Sequence, residues 1–341
     1  MSTETASTPV PVGKLLKADS IASIYRADVE TSIKAFTSSP SYSRKPRLVG
    51  ILATDSKPSE MYAEFTRKTC EDIGVEFALK RVGSAVKKEQ GGAEELGSDG
   101  EGVELAIIEA NEDASVDGIM VYYPIFGGLQ DHYLQQVVSP YKDVEGLNTK
   151  FHFNLYHNAT APANSDIPPE GTIKSILPCT PLAIVKCLEF MGVYNTLLPY
   201  GDRAYGKTVT VINRSEVVGR PLAALLANDG ARAFSVDIDS IQEYTKRPAS
   251  STPSGPRRMY HPRHVAHPSS NTLEQCLAIS DVVISAVPSA SYKVNTAALK
   301  DGCICVNVSS EKNFEKDVRE KASLYLPSVG KVTIMMLLRN L

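Results

Sequence analysis

Residues 208–239, TVTVINRSEVVGRPLAALLANDGARAFSVDID, constrain this chain more than any other stretch. A β-branched run at 208–212 ends in a polar turn, Asn213-Arg214-Ser215. Gly219 follows, and Pro221 opens an apolar helix that runs through Leu226. A second short strand, 233–236, leads into Asp237. Strand, tight turn, helix, strand and acid thus fall within one βαβ-sized window. A helix N-terminus beside a glycine offers backbone N–H groups and a positive dipole end, which suits a pyrophosphate. A carboxylate at the end of the second strand suits the hydroxyls of an adenine ribose, and so NAD rather than NADP. Asn213 stands where the first glycine of G-x-G-x-x-G usually sits, and Asn tolerates left-handed backbone angles better than most residues. The same pattern also fits an ordinary strand–turn–helix of an α/β domain, and this motif alone leaves both readings open.

The 341 residues are enough for two domains with separate cores. A net charge of -3 and no basic stripe argue against nucleic acid as a partner. No apolar run reaches the length of a membrane span. Residues 1–13 are polar with an early acid, unlike a signal peptide or an Arg-rich presequence, and read as a disordered tail on a cytoplasmic protein. The cysteines, Cys70, Cys179, Cys187, Cys276, Cys303 and Cys305, form no C-x-x-C pairs. With dispersed histidines and no H-E-x-x-H, no metal site is expected.

Along the chain, 48–53 and 118–123 read as strands, 59–73 and 103–111 as helices, and 77–82 as a further strand. Residues 83–102 are glycine-rich and charged and read as a flexible loop. A helix starts at 133–138, and YKDVEGLN follows as a loop. After the turn Pro178-Cys179-Thr180-Pro181 comes an apolar helix over 182–191, then the βαβ window. Residues 242–272, rich in Pro, Ser, Arg and His, read as a surface insertion, and 281–287 and 303–308 as strands. The alternation predicts an α/β fold with a mainly parallel sheet in each of two αβ domains. The boundaries fall at 14–180 and 181–330, and the apolar segment KVTIMMLLRNL at 331–341 packs as a short helix onto the first domain; an end this abrupt is what a truncated chain would show.

SEMYAEFTRKTCEDIG, DGIMVYYPIFG, KDVEGLN, ILPCTP, NRSEVVGRP and GKVTIMMLL occur in the order and spacing of the methylenetetrahydrofolate dehydrogenase/cyclohydrolase family. The resemblance runs from about Lys14 to Leu341, and the departures match a fungal, cytosolic, NAD-dependent and monofunctional branch. It implies an N-terminal folate-binding domain, a C-terminal Rossmann-like NAD-binding domain, a cleft between them, and a homodimer.

The resemblance also implies roles for particular residues. In the folate half, the Tyr-x-x-x-Lys motif of bifunctional relatives is Tyr62 with Thr66 in the lysine position. Their V-Q-x-P is Val121-Tyr122-Tyr123-Pro124, so Tyr122 replaces the glutamine that supports the lysine. Their K-D-V-D-G keeps Asp143 but carries Glu145 where an aspartate contacts the pterin. Cyclohydrolase chemistry needs an ionisable group with a tuned pKa, which Thr66 is not. Hydride transfer needs mainly the correct pose. These changes favour oxidation of 5,10-methylenetetrahydrofolate to the 5,10-methenyl form with NAD, and put the cyclohydrolase in doubt. A bifunctional enzyme and a folate- or nucleotide-binding protein without turnover are the alternatives. Cys179 is read as lining the cleft, with a nucleophilic or a purely structural role as alternatives. Thr180 is read as a cofactor contact.

In the nucleotide half, Asn213, Arg214, Ser215 and Gly219 form the phosphate turn, with Arg214 assigned to the pyrophosphate or the adenine edge. Asp237 and Ile238 face the ribose, where Ile238 offers no hydrogen bond to a 2′-phosphate. Ala286, Val287 and Pro288 form a wall at a strand end, Asn307 to Ser309 lie near the nicotinamide, and Thr333 follows a shortened loop, Pro327 to Lys331.

Overall fold

The computed structural model describes residues 12–40, 44–86, 97–159, 175–246 and 263–341. In chain order the elements are β1 (Lys14–Leu15), α1 (Ala18–Thr37), β2 (Arg47–Leu52), α2 (Lys57–Ile73), β3 (Glu76–Arg81), α3 (Val103–Glu112), β4 (Gly118–Val121), α4 (Gly128–Val137), α5 (Thr149–Tyr156) and α6 (Cys179–Phe190). Then come β5 (Thr208–Ile212), α7 (Gly219–Asn228), β6 (Arg232–Val236), β7 (Ile241–Thr245), β8 (Val265–Pro268), α8 (Leu273–Ile279), β9 (Val282–Ser285), β10 (Ile304–Asn307), α9 (Val318–Lys321), β11 (Leu324–Leu326) and α10 (Gly330–Asn340). The chain separates into two compact units. One holds Ile21–Cys187 with Gly330–Leu341, the other the described part of Met1–Ser20 with Leu188–Val329.

The first unit is built on a parallel sheet ordered β3-β2-β4. Val49, Ile51, Ile119 and Val121 of its strands pack with Ala106, Ile107 and Leu134 of the helices that cover it. Its α2 starts with proline in the first turn and stops at Gly74, whose φ of 88° is the left-handed cap that glycine adopts without strain. Lys142–Glu145 continues the sheet beyond β4: Ile119 bridges Asp143 in parallel, and the Ile119 N–H donates to Lys142 O at 2.7 Å. Residues 332–338 of α10 are buried throughout. Asn340 closes that helix by donating to Val144 O (3.0 Å) and Leu177 O (3.1 Å), which ties two loops of this unit together.

The second unit carries an eight-stranded sheet ordered β1-β11-β10-β9-β5-β6-β7-β8. It is parallel except for β7 and β8. The central strands β5 and β9 are nearly all buried, as their unbroken apolar runs require of a parallel sheet covered on both faces.

Three expectations change. The tail read as disordered over 1–13 gives up its last residue: Gly13 exchanges bonds of 2.7 Å with Arg319, just before Lys14 and Leu15 pair with Leu324 and Tyr325. Residues 1–11 lie outside the described residues. This pairing places residues 14–20 in the second unit rather than the first, and the later division falls inside α6, at Cys187, rather than at 180. The segment read as a surface insertion contributes most of two antiparallel strands, β7 and β8, that extend the sheet beyond β6 with β8 at its edge, and 247–262 lie outside the described residues. Of the glycine-rich loop read at 83–102, residues 87–96 likewise lie outside. Among the described residues no helix is long and apolar enough to cross a membrane.

Candidate active site

In the first unit, side chains from four segments converge beside the carboxyl ends of the parallel strands, where α/β sheets place their ligands. Tyr62 and Thr66 share a face of α2, one turn apart. Tyr122 and Tyr123 follow β4, Glu145 ends the added strand segment, and Cys179 and Thr180 open α6. The rings of Tyr62 and Tyr122 meet edge to face, 6.1 Å between centroids. The Cys179 N–H donates to Glu145 O at 2.9 Å, which fixes the start of α6 against the Glu145 loop. Gly146 makes this approach possible. Its φ is 74°, and a Cβ there would lie 2.9 Å from the backbone of Leu177 and Pro178.

Thr66, Tyr122 and Cys179 are buried, Tyr62 and Glu145 are partly so, and the acidic groups respond. Burial, reinforced by the Asp143 charge, pushes the Glu145 carboxyl up to about 8, although the Val121 N–H it accepts at 2.9 Å pulls the other way. Burial pushes the Tyr62, Tyr122 and Tyr123 phenols and the Cys179 thiol up as well, with Glu145 adding to each shift. A Cys179 thiol raised this way is a poor nucleophile, which argues against a nucleophilic role. The buried hydroxyls of Tyr122 and Tyr123 have no aligned hydrogen-bond partner. Buried polar groups are normally satisfied; the Thr66 hydroxyl bears on the Tyr122 phenol, which leaves the Tyr123 hydroxyl as the clearer place for a polar partner. Thr66 is fully buried and gives its own proton to Tyr62 O at 2.9 Å.

Asp143, the acid kept in its motif, is turned to the backbone. Its Oδ1 accepts the N–H groups of Glu145 (3.0 Å) and Gly146 (2.8 Å), and its Oδ2 that of Asn148 (2.8 Å). It therefore shapes the loop that presents Glu145. Asp131 does the same for the loop after β4, accepting the N–H groups of Ile125, Phe126 and Gly127 at 3.0–3.1 Å. Sequence reading missed Asp131, and the signal available was an acid in the first turn of α4 behind two glycines.

In the second unit, Asn213 adopts a φ of 87°, and its Oδ1 accepts the Ser215 N–H at 2.9 Å. Ser215 Oγ accepts the Val218 N–H at 3.3 Å. A Cβ on Gly219 would fall 1.6 Å from Asn213 O, so only glycine lets α7 start this close to the turn. This backbone cradle at a helix start suits a pyrophosphate. Asp237 and Ile238 sit exposed just past β6, Ile238 at 96 %. Arg214 does not point outward to a phosphate, since its guanidinium is bonded to Ser235 and Ser240.

Ala286, Val287 and Pro288 follow β9 as expected, but Asn307 is engaged internally. Its Nδ2 donates to Ser309 O (2.8 Å), Glu311 O (3.1 Å) and Pro327 O (3.3 Å), and its Oδ1 accepts the Asn313 N–H (3.0 Å). Asn313, fully buried and missed from sequence, accepts from Ser285 Oγ and the Val287 N–H and donates to Val287 O. The two amides clamp the loops after β9, β10 and β11, and Ser309 Oγ accepts the Glu311 N–H within that clamp. Thr333 belongs to α10 and so to the first unit.

Residues 16–145 match the family model described as tetrahydrofolate dehydrogenase/cyclohydrolase, catalytic domain. The chain is 46 % identical over 329 residues to the methylenetetrahydrofolate dehydrogenase [NAD(+)] of Saccharomyces cerevisiae, spanning 96 % of this chain and 95 % of that one. To the enzyme of the same name from Schizosaccharomyces pombe it is 45 % identical over 342 residues, spanning 100 % and 96 %. The solved structure of the NAD-dependent 5,10-methylenetetrahydrofolate dehydrogenase of Saccharomyces cerevisiae superposes with a TM-score of 0.83 at 45 % identity, covering 97 % of this chain and 96 % of that one. With such identity along nearly its whole length, the chain belongs to the methylenetetrahydrofolate dehydrogenase/cyclohydrolase family.

Proposed function

We propose that this protein oxidises 5,10-methylenetetrahydrofolate to 5,10-methenyltetrahydrofolate by hydride transfer to NAD⁺. The near full-length identity to enzymes named for that reaction carries the reading. When bound, NAD⁺ supplies the hydride acceptor. The protein's own residues hold and orient. Tyr62, Tyr122 and Glu145 form the folate-facing cluster, Asn213 to Gly219 cradle the dinucleotide phosphates, and Asp237 accepts the ribose hydroxyls. The nitrogen lone pairs of the folate expel the hydride, so no residue need abstract a proton from the reacting carbon. Thr66 offers no titrating group for hydrolysis of the product, and the reading is therefore a dehydrogenase without cyclohydrolase activity. It extends to a cytoplasmic homodimer, for which light scattering should return twice 36.9 kDa.

Initial rates with NAD⁺ and NADP⁺ test the assignment. NAD⁺ should win clearly, and Asp237→Ser combined with Ile238→Arg should narrow the gap by roughly 10-fold or more, since a repulsive carboxylate is lost and a phosphate ligand gained. A native preference for NADP⁺ would reject the reading of the ribose end. Absence of NADH formation despite NAD binding would favour a binding protein. Decay of methenyltetrahydrofolate faster than its spontaneous hydrolysis would favour a bifunctional enzyme.

Glu145 gives a pH prediction. A pterin presents N–H donors, which bind the ionised carboxylate best. With its pKa near 8, Glu145 is mostly protonated at pH 7. Tetrahydrofolate affinity should therefore rise by close to 10-fold per unit of pH below 8 and level off above it. Glu145→Gln should bind with a flat profile over the same range. The unliganded fold shows the opposite sign. A carboxyl raised from its ordinary 4.5 binds its proton more tightly when folded, so its contribution to stability is present below about 4.5 and is lost as pH rises towards 8.

A further inference from the structure

Arg214 leaves the turn between β5 and α7 and lies against the hairpin that follows β6. Its Nε donates to Ser235 Oγ at 3.0 Å and its Nη1 to Ser240 Oγ at 3.0 Å. Its Nη2 donates to Ser235 O at 2.6 Å and to Ser240 O at 2.9 Å. All three nitrogens are engaged, and these bonds use four of the five N–H donors a guanidinium has. The two serines flank the tip formed by Asp237, Ile238 and Asp239. Ser235 is fully buried on β6, and Ser240 receives the Asp237 N–H on its carbonyl at 2.9 Å. The guanidinium thus closes the base of the turn that carries Asp237.

Two groups at this strand end make opposite demands. A carboxylate here accepts the 2′-hydroxyl of an adenine ribose, whereas a free arginine nearby accommodates a 2′-phosphate. Guanidinium is the side chain best shaped for phosphate, because it can offer two parallel N–H bonds. Left unoccupied, Arg214 would work against Asp237.

We infer that Ser235 and Ser240 are specificity-determining residues for the dinucleotide: they hold Arg214 away from a 2′-phosphate and brace the turn that presents Asp237. The inference rests on the NAD reading above and deepens it. Discrimination then has a repulsive part, the Asp237 carboxylate, and a withheld attraction, the occupied guanidinium. A 2′-phosphate can recruit Arg214 only by breaking charge-assisted bonds that the serines supply.

Binding of 2′,5′-ADP, compared with 5′-ADP, reads the effect without turnover. In Ser235→Ala/Ser240→Ala, affinity for 2′,5′-ADP should rise roughly 10-fold relative to 5′-ADP, with a matching rise in kcat/KM for NADP⁺. Adding Arg214→Ala to the pair should cancel the gain, and Ser240→Thr, which keeps the hydroxyl, should behave as the native protein. If the double variant does not fold, Ser240→Ala alone, on the exposed turn, should show a smaller gain of the same sign. Unchanged 2′,5′-ADP affinity, or a gain that survives Arg214→Ala, would overturn the inference. Failure of the native protein to reduce NAD⁺ would sink the functional reading instead, and the two failures are read in separate assays.

Discussion

Gly219→Ala should abolish NAD⁺-dependent turnover and loosen the second unit. The added methyl would sit 1.6 Å from Asn213 O and 2.7 Å from its carbonyl carbon. Both are backbone atoms, so no side-chain rotation relieves the overlap. Either the turn opens or α7 retreats. Overpacking in cores costs about 1–3 kcal/mol when side chains can adjust, and a backbone collision belongs at or above the upper end. A turn displaced to that extent loses its approach to the pyrophosphate, for an expected weakening of NAD⁺ binding on the order of 100-fold. The thermal midpoint should fall by roughly 5–10 °C. Asn213→Gly is the contrast. Glycine adopts the φ of 87° without strain but gives up the bond to the Ser215 N–H, so the net change should stay within about 1 kcal/mol. Titration of NAD⁺ and a thermal scan of both variants decide the matter. A Gly219→Ala protein with native KM for NAD⁺ and native midpoint would show that the cradle is not rigid.

Features that rest on backbone demands were legible in the sequence. Gly219, the left-handed Asn213 and the acid after β6 announce themselves within a few residues, because a strand, a turn and a helix start are local events. The β-branched runs at β2, β4, β5 and β9 were legible for the same reason, since strands buried on both faces are apolar throughout. The antiparallel strands β7 and β8 were not. Each carries polar residues on a face that nothing need cover, and the Pro- and Ser-rich composition around them reads as loop. Nor could sequence say what a polar side chain spends its hydrogen bonds on. Asp143 stood out as the kept acid of its motif, but nothing there showed that it is consumed by three backbone N–H groups. Arg214 was assigned to the pyrophosphate or the adenine edge, yet its partners lie 21 and 26 residues away. Asn307 and Asn313 clamp three loops whose proximity exists only once the sheet has formed. Asn340, 196 residues from Val144 in sequence, ties the Glu145 loop to the chain before α6. In each case the residue type was visible and its partner was not.

Thr66→Lys should cost the enzyme far more in kcat than in KM. Thr66 is fully buried within the cluster formed by Tyr62, Tyr122 and Glu145, so a lysine there brings an ammonium into a site that excludes water. Hydride transfer moves the positive charge of the nicotinamide ring onto the folate. An ammonium roughly 6 Å from the folate end of that shift, and farther from the nicotinamide, opposes it at an effective dielectric of about 20 by at most about 3 kcal/mol, an upper bound on the order of 100-fold in rate. In the ground state that charge sits on the nicotinamide, farther from the ammonium, so binding suffers less and more of the loss falls on the chemical step. Thr66→Met isolates the sterics, since methionine has similar length, no charge and flexible packing. It should lower kcat several-fold at most. Single-turnover rates of NADH formation with saturating folate make the comparison free of product release. Equal rates in the lysine and methionine variants would mean that space, and not charge, governs this position. The same lysine should also draw the Glu145 carboxyl back towards its ordinary range, because an opposite charge nearby favours ionisation. The rise in tetrahydrofolate affinity between pH 7 and 8 should then disappear in Thr66→Lys and persist in Thr66→Met, which ties the two charged positions together in one measurement.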